Sequence, residues 1–578
     1  MRVPDAVRHS SCRSAEPGPI QPLAFGPQLC SAPLRKGGAC ARAAQSADSS
    51  ALRCVRGTVM NDGPLMPASL FPGVISGDRR RSHGDVADRA GRIAGGLQRL
   101  GVAQGDCVCI LMRNDIAFIE AAYAVALLGA YAVPVNWHFK PEEIAYVLQD
   151  SGARVLIGHA DLLHALRDAI PAGITVLSAP TPPEIRAAYK IDSAHLAAPA
   201  GAVELESWLL QQQPYDGPTR PAPQNMIYTS GTTGHPKGVR RNAPTPEQAA
   251  ASERMRAMIY GLRPGARALL PGPLYHSAPN SFGLRAGKLG GALVLMPRFD
   301  PEQFLRIVER ERIDTIFMVP TMFIRLMQLP QDVRVKYDVS SLRHVIHAAA
   351  PCPAEVKRAM IEWWGPVIYE FYGSTESGAV TFATSEDALK KPGTVGKISP
   401  GAELRLVGDD GNVLPQGEIG EIYSRISGNP DFTYHNKPEK RAEIERDGFI
   451  TSGDVGYIDE DGYVFICDRK RDMVISGGVN IYPAEIEAAL HALPGVQDCA
   501  VFGIPDAEFG EALMAVVEPQ PGITLDVARL RAQLKARLAD YKVPKHIETQ
   551  RDLPREDSGK IFKRRLRDPY WERAGRRI

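Results

Sequence analysis

Hydrophobic residues recur with two alternating periods along most of the chain. After His83, apolar residues return every three or four positions as far as Leu97, which predicts an amphipathic helix. Residues 106–112 then alternate toward a buried strand, and helix-then-strand pairs continue through residues 153–158. This rhythm predicts βαβ units and parallel sheets, that is, an α/β fold.

Three predicted strands end in segments of small or polar residues. Residues 225–229 lead into a glycine-rich loop, residues 342–347 lead into an alanine run closed by Pro351, and residues 367–371 lead into Tyr372 and Gly373. Ligands of open α/β sheets bind beyond the carboxyl ends of the strands. We therefore expect these three strand ends to meet at one site.

The pattern changes after residue 395. Short strands broken by glycine, as in residues 402–412, predict a β subdomain rich in hairpins. Beyond Asp472 we expect βαβ alternation again, in a small, mobile α+β cap. These changes divide the chain into an N-terminal domain, residues 60–468, and a C-terminal cap, residues 469–578.

Composition excludes several classes of protein. The chain has 578 residues, which is too long for one core, and a net charge of +2, which argues against nucleic-acid binding. The most apolar segment, residues 117–135, carries Glu120 and Pro134 and predicts a buried helix and strand rather than a transmembrane span. We expect a cytoplasmic monomer or homodimer with free thiols, and peripheral contact with a membrane stays open.

Residues 1–59 differ from the rest of the chain. They hold four of the nine cysteines, several arginines and few acids, without a sustained hydrophobic period. Such a segment cannot bury enough apolar surface to fold. We expect a disordered extension or a mis-assigned start, with Met60 as the preferred start; an organellar leader is the alternative.

Residues 228–238 combine hydroxyls, glycines and one lysine in a single loop. Glycines let backbone N–H groups face an anion, and the hydroxyls and Lys237 add donors and a positive charge. The loop is not a Walker sequence, because Pro236 precedes the lysine and Gly238 follows it. Flexible surface loops can have a similar composition, but this one favours phosphate binding.

Four further segments follow the loop in order, and we interpret them as short turns that carry acids, bases and glycines: residues 372–376, 451–454, 468–483 and 554–561. Together with the loop they resemble the adenylate-forming superfamily of acyl-CoA synthetases, luciferases and peptide-synthetase adenylation domains. The resemblance covers residues 68–570. Residues 273–277 and 475–483 are most similar to bacterial acyl-CoA synthetases of the fatty-acid and aromatic-acid type.

This resemblance implies an AMP-forming acid–thiol ligase that uses ATP, Mg²⁺ and coenzyme A. It activates a small-molecule carboxylic acid as acyl-AMP and then forms the acyl-CoA. The resemblance implies Lys560, Glu376, Thr232 and His276 as catalytic residues, with Glu376 and Thr232 as Mg²⁺ ligands. Lys560 bridges the substrate carboxylate and the α-phosphate in the family, and the cap then rotates about a hinge at Arg471.

The other implied site residues form three groups. The ATP-binding residues are Thr229, Ser230, Gly231, Thr232, Thr233, Gly234, Lys237, Ala349, Tyr372, Gly373, Ser374, Thr375, Asp454, Arg469 and Lys560. The coenzyme A channel is flanked by Gly477 and Gly478, and the acyl pocket is lined by His276, Asn280, Val319 and Phe371. Within the ATP group, Asp454 accepts the ribose hydroxyls and Tyr372 lies against adenine.

Structural roles compete with several of these assignments. Glu376 could be a helix-cap partner of Ser374, Tyr372 a plain core residue, and Arg469 a surface ion pair. The chain also departs from the family at His347 and Ala348, where the family has Ser and Gly, and at Val479, where Glu is frequent.

The substrate and the acyl acceptor have alternatives as well. The uncharged acyl pocket favours medium- or long-chain fatty acids, with aryl or polycyclic acids as the second choice. Loading of a carrier protein and an inactive scaffold are the rival functions.

Overall fold

The computed structural model describes residues 71–166, 169–229, 236–476, 479–506, 508–555 and 561–574. The expectations for residues 1–59 therefore lie outside the described residues. The same holds for the predicted site residues Ser230, Gly231, Thr232, Thr233, Gly234, Gly477, Gly478 and Lys560.

The first part of the chain builds a parallel sheet. This part of the chain contains the strands β1 (Gly73–Ser76), β2 (Arg79–Arg81), β3 (Cys107–Leu111), β4 (Tyr131–Pro134), β5 (Val155–His159), β6 (Thr175–Ala179) and β7 (Val203–Glu204), of which β1 and β2 belong to a second, larger sheet. The helices of this part are α1 (His83–Arg99), α2 (Ile116–Leu127), α3 (Pro141–Asp150), α4 (Ala160–His164), α5 (Pro183–Tyr189) and α6 (Leu205–Leu210). Strands β3 to β7 pair in the order β4-β3-β5-β6-β7, all parallel.

The predicted βαβ rhythm is confirmed here, with one difference. The helix predicted after His83 is α1, and its N-cap Ser82 accepts a hydrogen bond from the backbone N–H of Asp85 at 3.1 Å. Strand β3 does not alternate between buried and exposed residues, because all five of its residues are buried. A parallel sheet covered on both faces has no solvent side to which alternate residues could point.

The middle of the chain forms a nine-stranded sheet and part of a small three-stranded one. Its strands are β8 (Ile227–Thr229), β9 (Lys237–Arg241), β10 (Arg267–Leu270), β11 (Ala292–Leu295), β12 (Thr315–Met318), β13 (His344–His347), β14 (Ile368–Ser374), β15 (Gly378–Ala383) and β16 (Lys397–Ile398). Its helices are α7 (Pro246–Tyr260), α8 (Ser277–Ala286), α9 (Pro301–Arg310), α10 (Pro320–Met327), α11 (Gln331–Arg334), α12 (Ala354–Trp364) and α13 (Ser385–Lys390). The large sheet runs β16-β15-β14-β13-β12-β10-β11-β1-β2, and it is parallel from β14 to β1.

The predicted β subdomain follows. It contains β17 (Ala402–Val407), β18 (Gly420–Ile426), β19 (Phe432–Tyr434), β20 (Glu445–Arg446), β21 (Phe449–Ile458) and β22 (Val464–Arg469), with the short helix α14 (Pro438–Ala442). These strands form an antiparallel sheet, except that β19 pairs with β9 and completes the three-stranded sheet β19-β9-β8.

One segment that we predicted as a turn lies wholly within a strand, and another begins within one. Residues 451–454 lie inside the ten-residue strand β21, and Asp468 lies near the end of β22. The glycine that favoured a turn, Gly453, does adopt a positive φ of 77°. The pairing of β18 with β21 shifts register at this position, so the glycine supports a β-bulge within a continuous strand.

The C-terminal residues form the cap. It contains β23 (Val474–Ser476), β24 (Val479–Ile481), β25 (Val496–Asp506), β26 (Gly510–Pro519) and β27 (His546–Thr549), with helices α15 (Pro483–His491), α16 (Val527–Lys535) and α17 (Lys563–Arg573). The predicted βαβ alternation is wrong for most of this sheet, because β25 and β26 form a long antiparallel hairpin. In the part of the cap that the structure describes, only β26, α16 and β27 make a parallel crossover unit.

The cap has a hydrophobic core of its own. Ile486 and Leu490 of α15 and Leu530 of α16 are buried against inward-facing strand residues such as Val501 and Leu513. A separate core is what an independently moving domain requires. The mixed α/β architecture with a distinct C-terminal domain is therefore confirmed, whereas the boundary at residue 468 stays a prediction.

Candidate active site

The two ends of the glycine-rich loop are held side by side. Strands β8 and β9 are antiparallel, and Thr229 lies opposite Lys237 in their register. The Nζ atom of Lys237 lies 5.1 Å from the ring centre of Tyr434 on β19, a cation–π distance. The three-stranded sheet thus fixes the positions at which the loop begins and ends.

The carboxylate of Glu376 lies at the edge of this loop. Glu376 follows β14 in the turn to β15, and its Oε1 accepts hydrogen bonds from Tyr434 Oη at 3.0 Å and Thr229 Oγ1 at 3.5 Å. Burial and the charge of Glu376 both raise the pKa of Tyr434 above its usual value, so the phenol stays a donor. A carboxylate and a threonine hydroxyl supply the oxygen donors that Mg²⁺ prefers, so these residues fit a magnesium site.

The alternative role of Glu376 as a helix-cap partner is wrong. The turn between β14 and β15 leads into a strand, not a helix. Ser374 pairs with Ser377 instead: each backbone N–H donates to the other residue's hydroxyl at 3.0 Å. The two serines thus close the turn, and the side chain of Glu376 accepts hydrogen bonds from Thr229 and Tyr434 instead.

Gly373 is needed in this strand because of a close backbone approach. A Cβ atom at this position would lie 1.7 Å from the carbonyl oxygen of Gly378. The pairing of β14 with β15 also shifts register between Tyr372 and Gly373. The glycine therefore lets the two strands close the turn that carries Glu376.

Tyr372, Asp454 and Arg469 form a second cluster. Tyr372 Oη donates to Asp454 Oδ2 at 2.8 Å, and Arg469 Nε lies 3.3 Å from Asp454 Oδ1. Asp454 and Arg469 are register partners on β21 and β22. Burial and the Asp454 carboxylate raise the pKa of Tyr372 well above its usual value. Each carboxylate oxygen has two lone pairs, so Asp454 can accept further hydroxyl donors.

Ala349 lies at the third strand end and is strained. It follows β13 and has a φ of 76°, in the left-handed region that alanine rarely adopts. Backbone strain of this kind concentrates at functional sites. The third predicted strand end thus carries one residue whose backbone conformation is unfavourable by itself.

The predicted acyl-pocket residues differ in character. Val319 and Phe371 are buried, and Phe371 packs against Tyr260 and Phe317 at ring-centre distances of 6.3 and 6.4 Å. His276 immediately precedes α8, and its ring centre lies 4.4 Å from that of Tyr275. These contacts describe aromatic surroundings.

Asn280 has a structural role that the sequence did not predict. Its Nδ2 donates to the Leu274 carbonyl at 2.8 Å, and its Oδ1 accepts from Asn225 Nδ2 at 2.8 Å. A buried amide with partners on both sides fixes neighbouring backbone segments. Its assignment to the acyl pocket stays a prediction.

The residues between body and cap are held by hydrogen bonds. Asp468 Oδ2 accepts from the backbone N–H of Ala484 at 2.8 Å, at the start of α15. The predicted hinge residue Arg471 follows in the turn after β22. Arg555 and Ile561 form an isolated antiparallel bridge, which joins the two ends of the segment that contains Lys560 in the sequence.

The sequence analysis missed two residues that the structure brings to this site, Arg241 and Tyr434. Arg241 is buried at the end of β9 and contacts the turn of Glu376. A pair of adjacent arginines shortly after the loop, residues 240–241, was the available signal for the first. Tyr434 had only the short alternation of residues 432–434, which is typical of any edge strand.

Comparison with known proteins identifies the family of the chain. The model of the AMP-binding enzyme family matches residues 65–429, and that of the AMP-binding enzyme C-terminal domain matches residues 485–560. Feruloyl-CoA synthase of an Amycolatopsis species is 36% identical over 522 residues, which cover 89% of this chain and 99% of that protein. Long-chain-fatty-acid–CoA ligase FadD13 of Mycobacterium tuberculosis is 34% identical, over 88% of this chain and 96% of its own.

A solved structure has the same fold. The anthranilate CoA ligase AuaEII in complex with anthranoyl-AMP superposes with a TM-score of 0.77 at 27% identity, over 87% of this chain and 95% of that one. The fold and the site thus define an adenylate-forming enzyme. The family model spans more than half of the sequence, and the chain belongs to the AMP-binding enzyme family, as an AMP-forming acid–thiol ligase.

Within the described residues, the helices are all too short or too polar to cross a membrane.

Proposed function

We propose that the protein activates a monocarboxylic acid with an apolar body. ATP and the acid form acyl-AMP and pyrophosphate, and coenzyme A then takes the acyl group with release of AMP. The observation that carries this proposal is one chain of contacts across three sheets. Thr229, at the start of the loop, contacts Glu376. Tyr372, four positions before Glu376 in the sequence, contacts Asp454.

Each part of this chain fits one part of ATP. Lys237 and the loop donors suit the phosphates, because backbone N–H groups, hydroxyls and an ammonium group stabilise negative charge. Glu376 would hold Mg²⁺ together with Thr232, and the ion would neutralise charge that develops on the phosphate oxygens. Asp454, with Arg469 beside it, suits a ribose diol, and Tyr372 suits the adenine ring.

The acyl pocket supports an apolar substrate. Phe371 belongs to an aromatic group with Tyr260, Phe282 and Phe317, and the remaining predicted pocket residues His276, Asn280 and Val319 carry no formal charge when histidine is neutral. Such surroundings disfavour a second carboxylate on the substrate. Medium- or long-chain fatty acids and aryl acids both meet this description, and the relatives named above include a ligase of each kind.

The thioester step is assigned to the cap by resemblance. Gly477 and Gly478 would leave room for the pantetheine thiol, and Arg471 would be the residue about which the cap turns. Asp468, which anchors the first turn of α15, would hold the cap beside this hinge. A cytoplasmic location and a monomeric or dimeric state remain predictions.

The test is a panel of free acids assayed for pyrophosphate release and for acyl-CoA. Octanoate and palmitate represent fatty acids, ferulate and indoleacetate represent aryl acids, and succinate and malonate carry a second carboxylate. We expect one of the first four to give the highest kcat/KM, with formation of its CoA thioester. Preference for succinate or malonate would refute the apolar pocket, and pyrophosphate release without thioester would indicate a different acyl acceptor.

A matched variant separates catalysis from contamination. Lys560→Ala should slow acyl-adenylate formation by about 100- to 1,000-fold, because one preorganised donor to developing charge is lost. Thioester formation from supplied acyl-adenylate should continue in this variant. Equal loss of both half-reactions would contradict the role assigned to Lys560.

A further inference from the structure

Arg241 is a buried arginine whose hydrogen bonds go to backbone carbonyls. Its Nη1 donates to the Pro430 carbonyl at 2.7 Å, and its Nη2 donates to the Thr375 carbonyl at 3.2 Å and to the Glu376 carbonyl. The residue is 8% exposed. Among the described residues, no carboxylate lies within ion-pair distance of its guanidinium. These bonds tie the backbone of the turn that carries Glu376 to the end of β9.

We infer that Arg241 is a positioning residue for Glu376. It holds Glu376 in the position needed to bind a divalent metal ion and the phosphates, and it contacts neither the metal ion nor the phosphates itself. This inference rests on the proposed function and adds to it a residue outside the motifs that carry the family resemblance. Its basis is the geometry of one strand.

Strand β9 fixes the position of Glu376 in two ways, through its side chain and through its backbone. Val239, in the middle of the strand, pairs with Tyr434, whose phenol donates to the Glu376 carboxylate. Arg241, at the end of the strand, holds the backbone of the same residue. The first residue of the strand, Lys237, ends the phosphate loop. One rigid element thus sets the distance between the loop and the carboxylate.

The position of Arg241 is itself well supported. The backbone carbonyl of Arg241 accepts a hydrogen bond from Tyr131 Oη at 2.8 Å, which joins β9 to the first parallel sheet. The guanidinium lies 5.2 Å from the ring centre of Phe432 on β19. A planar guanidinium can serve three carbonyls from two segments, whereas a lysine ammonium has no fixed fork. The geometry therefore requires arginine rather than a positive charge alone.

The charge of Arg241 also acts on Glu376. Burial lowers the pKa of Arg241 to about 10, against the opposing effects of Glu376 and Asp431. The group therefore remains cationic at neutral pH. Its hydrogen bonds to the carbonyls of Pro430, Thr375 and Glu376 are therefore charge-assisted.

The test measures metal binding directly. Mn²⁺ replaces Mg²⁺, and electron paramagnetic resonance titration gives the Mn²⁺ Kd in the presence of a non-hydrolysable ATP analogue. Loss of a group that orients a metal ligand weakens metal affinity by about 10- to 100-fold. We expect Arg241→Lys and Arg241→Gln to raise the Mn²⁺ Kd by about tenfold or more, and to raise by a similar factor the Mg²⁺ concentration at which adenylation is half-maximal.

A matched arginine provides the control. Arg441 lies over the same Phe432 ring at 4.6 Å, is also largely buried and pairs with Glu445 at 2.6 Å. No hydrogen bond in the described structure joins it to the turn at residues 375–376. Arg441→Met should therefore leave the Mn²⁺ Kd within about twofold of the wild-type value.

Further measurements distinguish positioning from general support. The variants at Arg241 should keep the wild-type KM for the acid and the wild-type rate of thioester formation from supplied acyl-adenylate. Tyr434→Phe should produce a Mn²⁺ shift that does not add to that of Arg241→Lys, because both act through Glu376.

Several results would overturn the inference. They are an unchanged Mn²⁺ Kd in folded Arg241→Lys, an equal shift in Arg441→Met, or failure of both Arg241 variants to fold. Failure of the proposed function is a separate outcome, since it is read from the wild-type enzyme as the absence of acid-dependent pyrophosphate release.

Discussion

The buried ion pair between Lys357 and Glu370 gives a quantitative prediction for the body of the enzyme. Lys357 lies on the inner face of α12 and Glu370 on β14, and their side chains are 6% and 5% exposed and hydrogen-bonded to each other. Strand β14, which carries Glu370, pairs with β13, and β13 leads to the strained residue Ala349. The pair is therefore enclosed by the elements that form the site.

Removing one partner leaves an uncompensated charge in the core. Lys357→Met should lower the free energy of unfolding by about 3–5 kcal/mol, which is a large part of the roughly 5–15 kcal/mol typical of a folded protein. Replacing both residues, as in Lys357→Met with Glu370→Met, should cost far less and could stabilise by about 1–4 kcal/mol. The predicted coupling energy thus amounts to several kcal/mol.

His347 makes the single variant sensitive to pH. Its Nδ1 lies 3.8 Å from Glu370 Oε1, and burial together with the charge of Lys357 lowers its pKa well below the usual value. In the wild type this depressed pKa means that stability present above pH ~6.5 is lost as the pH falls below it. In Lys357→Met, protonated His347 can pair with Glu370 instead. The deficit of the variant relative to the wild type should therefore shrink between pH 8 and pH 5.5.

The assay is urea denaturation followed by tryptophan fluorescence. Trp363 and Trp364 lie on the same helix as Lys357, α12, so they report on the unfolding of this helix. A single variant within about 1 kcal/mol of the wild type would refute the reasoning, as would a double variant no more stable than Lys357→Met.

Three further predictions follow from the site and the cap. Gly373→Ala should abolish pyrophosphate release and lower the Tm, since its Cβ would collide with the Gly378 carbonyl, whereas Gly365→Ala, which has open space around it but a φ of 84°, should cost about 1–3 kcal/mol through backbone strain and leave pyrophosphate release intact. Tyr372→Phe should raise the KM for ATP about tenfold through loss of its bond to a carboxylate, and an unchanged KM would argue against this contact. In the cap, His491 and Arg555 outweigh burial and lower the pKa of Asp498, so stability present above pH ~3.8 should be lost as the pH falls further; Asp498→Asn should flatten that pH profile, and an unchanged profile in denaturation experiments would contradict it.

Local sequence patterns determined much of the fold. The period of apolar residues predicted α1, the parallel strands and the β subdomain, because burial on one face or on two imposes a fixed spacing on neighbouring residues. The same patterns predicted that three strand ends meet at one site, and the structure links two of them through the contact of Thr229 with Glu376. The class of enzyme followed from the resemblance of the loop and the four later segments, taken in order, to the adenylate-forming superfamily.

The local patterns were misleading where one sequence fits two conformations: a glycine can form a turn or a β-bulge, and successive strands can form a βαβ unit or a hairpin. Gly453 predicted a turn, yet it supports a bulge because β18 lies beside it and continues the sheet. The cap was expected to be a series of βαβ units, yet β25 and β26 pair directly as an antiparallel hairpin. In both cases the neighbouring strand, which the local sequence does not contain, selected the conformation.

Tertiary structure alone decided which polar groups meet. Arg241 and Glu376 are 135 positions apart, Tyr372 and Asp454 are 82 apart, and no periodicity joins either pair. Asn280 similarly binds Asn225 and the Leu274 backbone rather than facing only the predicted pocket. Hydrogen bonds and ion pairs depend on distances of a few ångströms, and those distances are set by how whole sheets pack, so the sequence names the chemical groups while only the packed fold selects their partners.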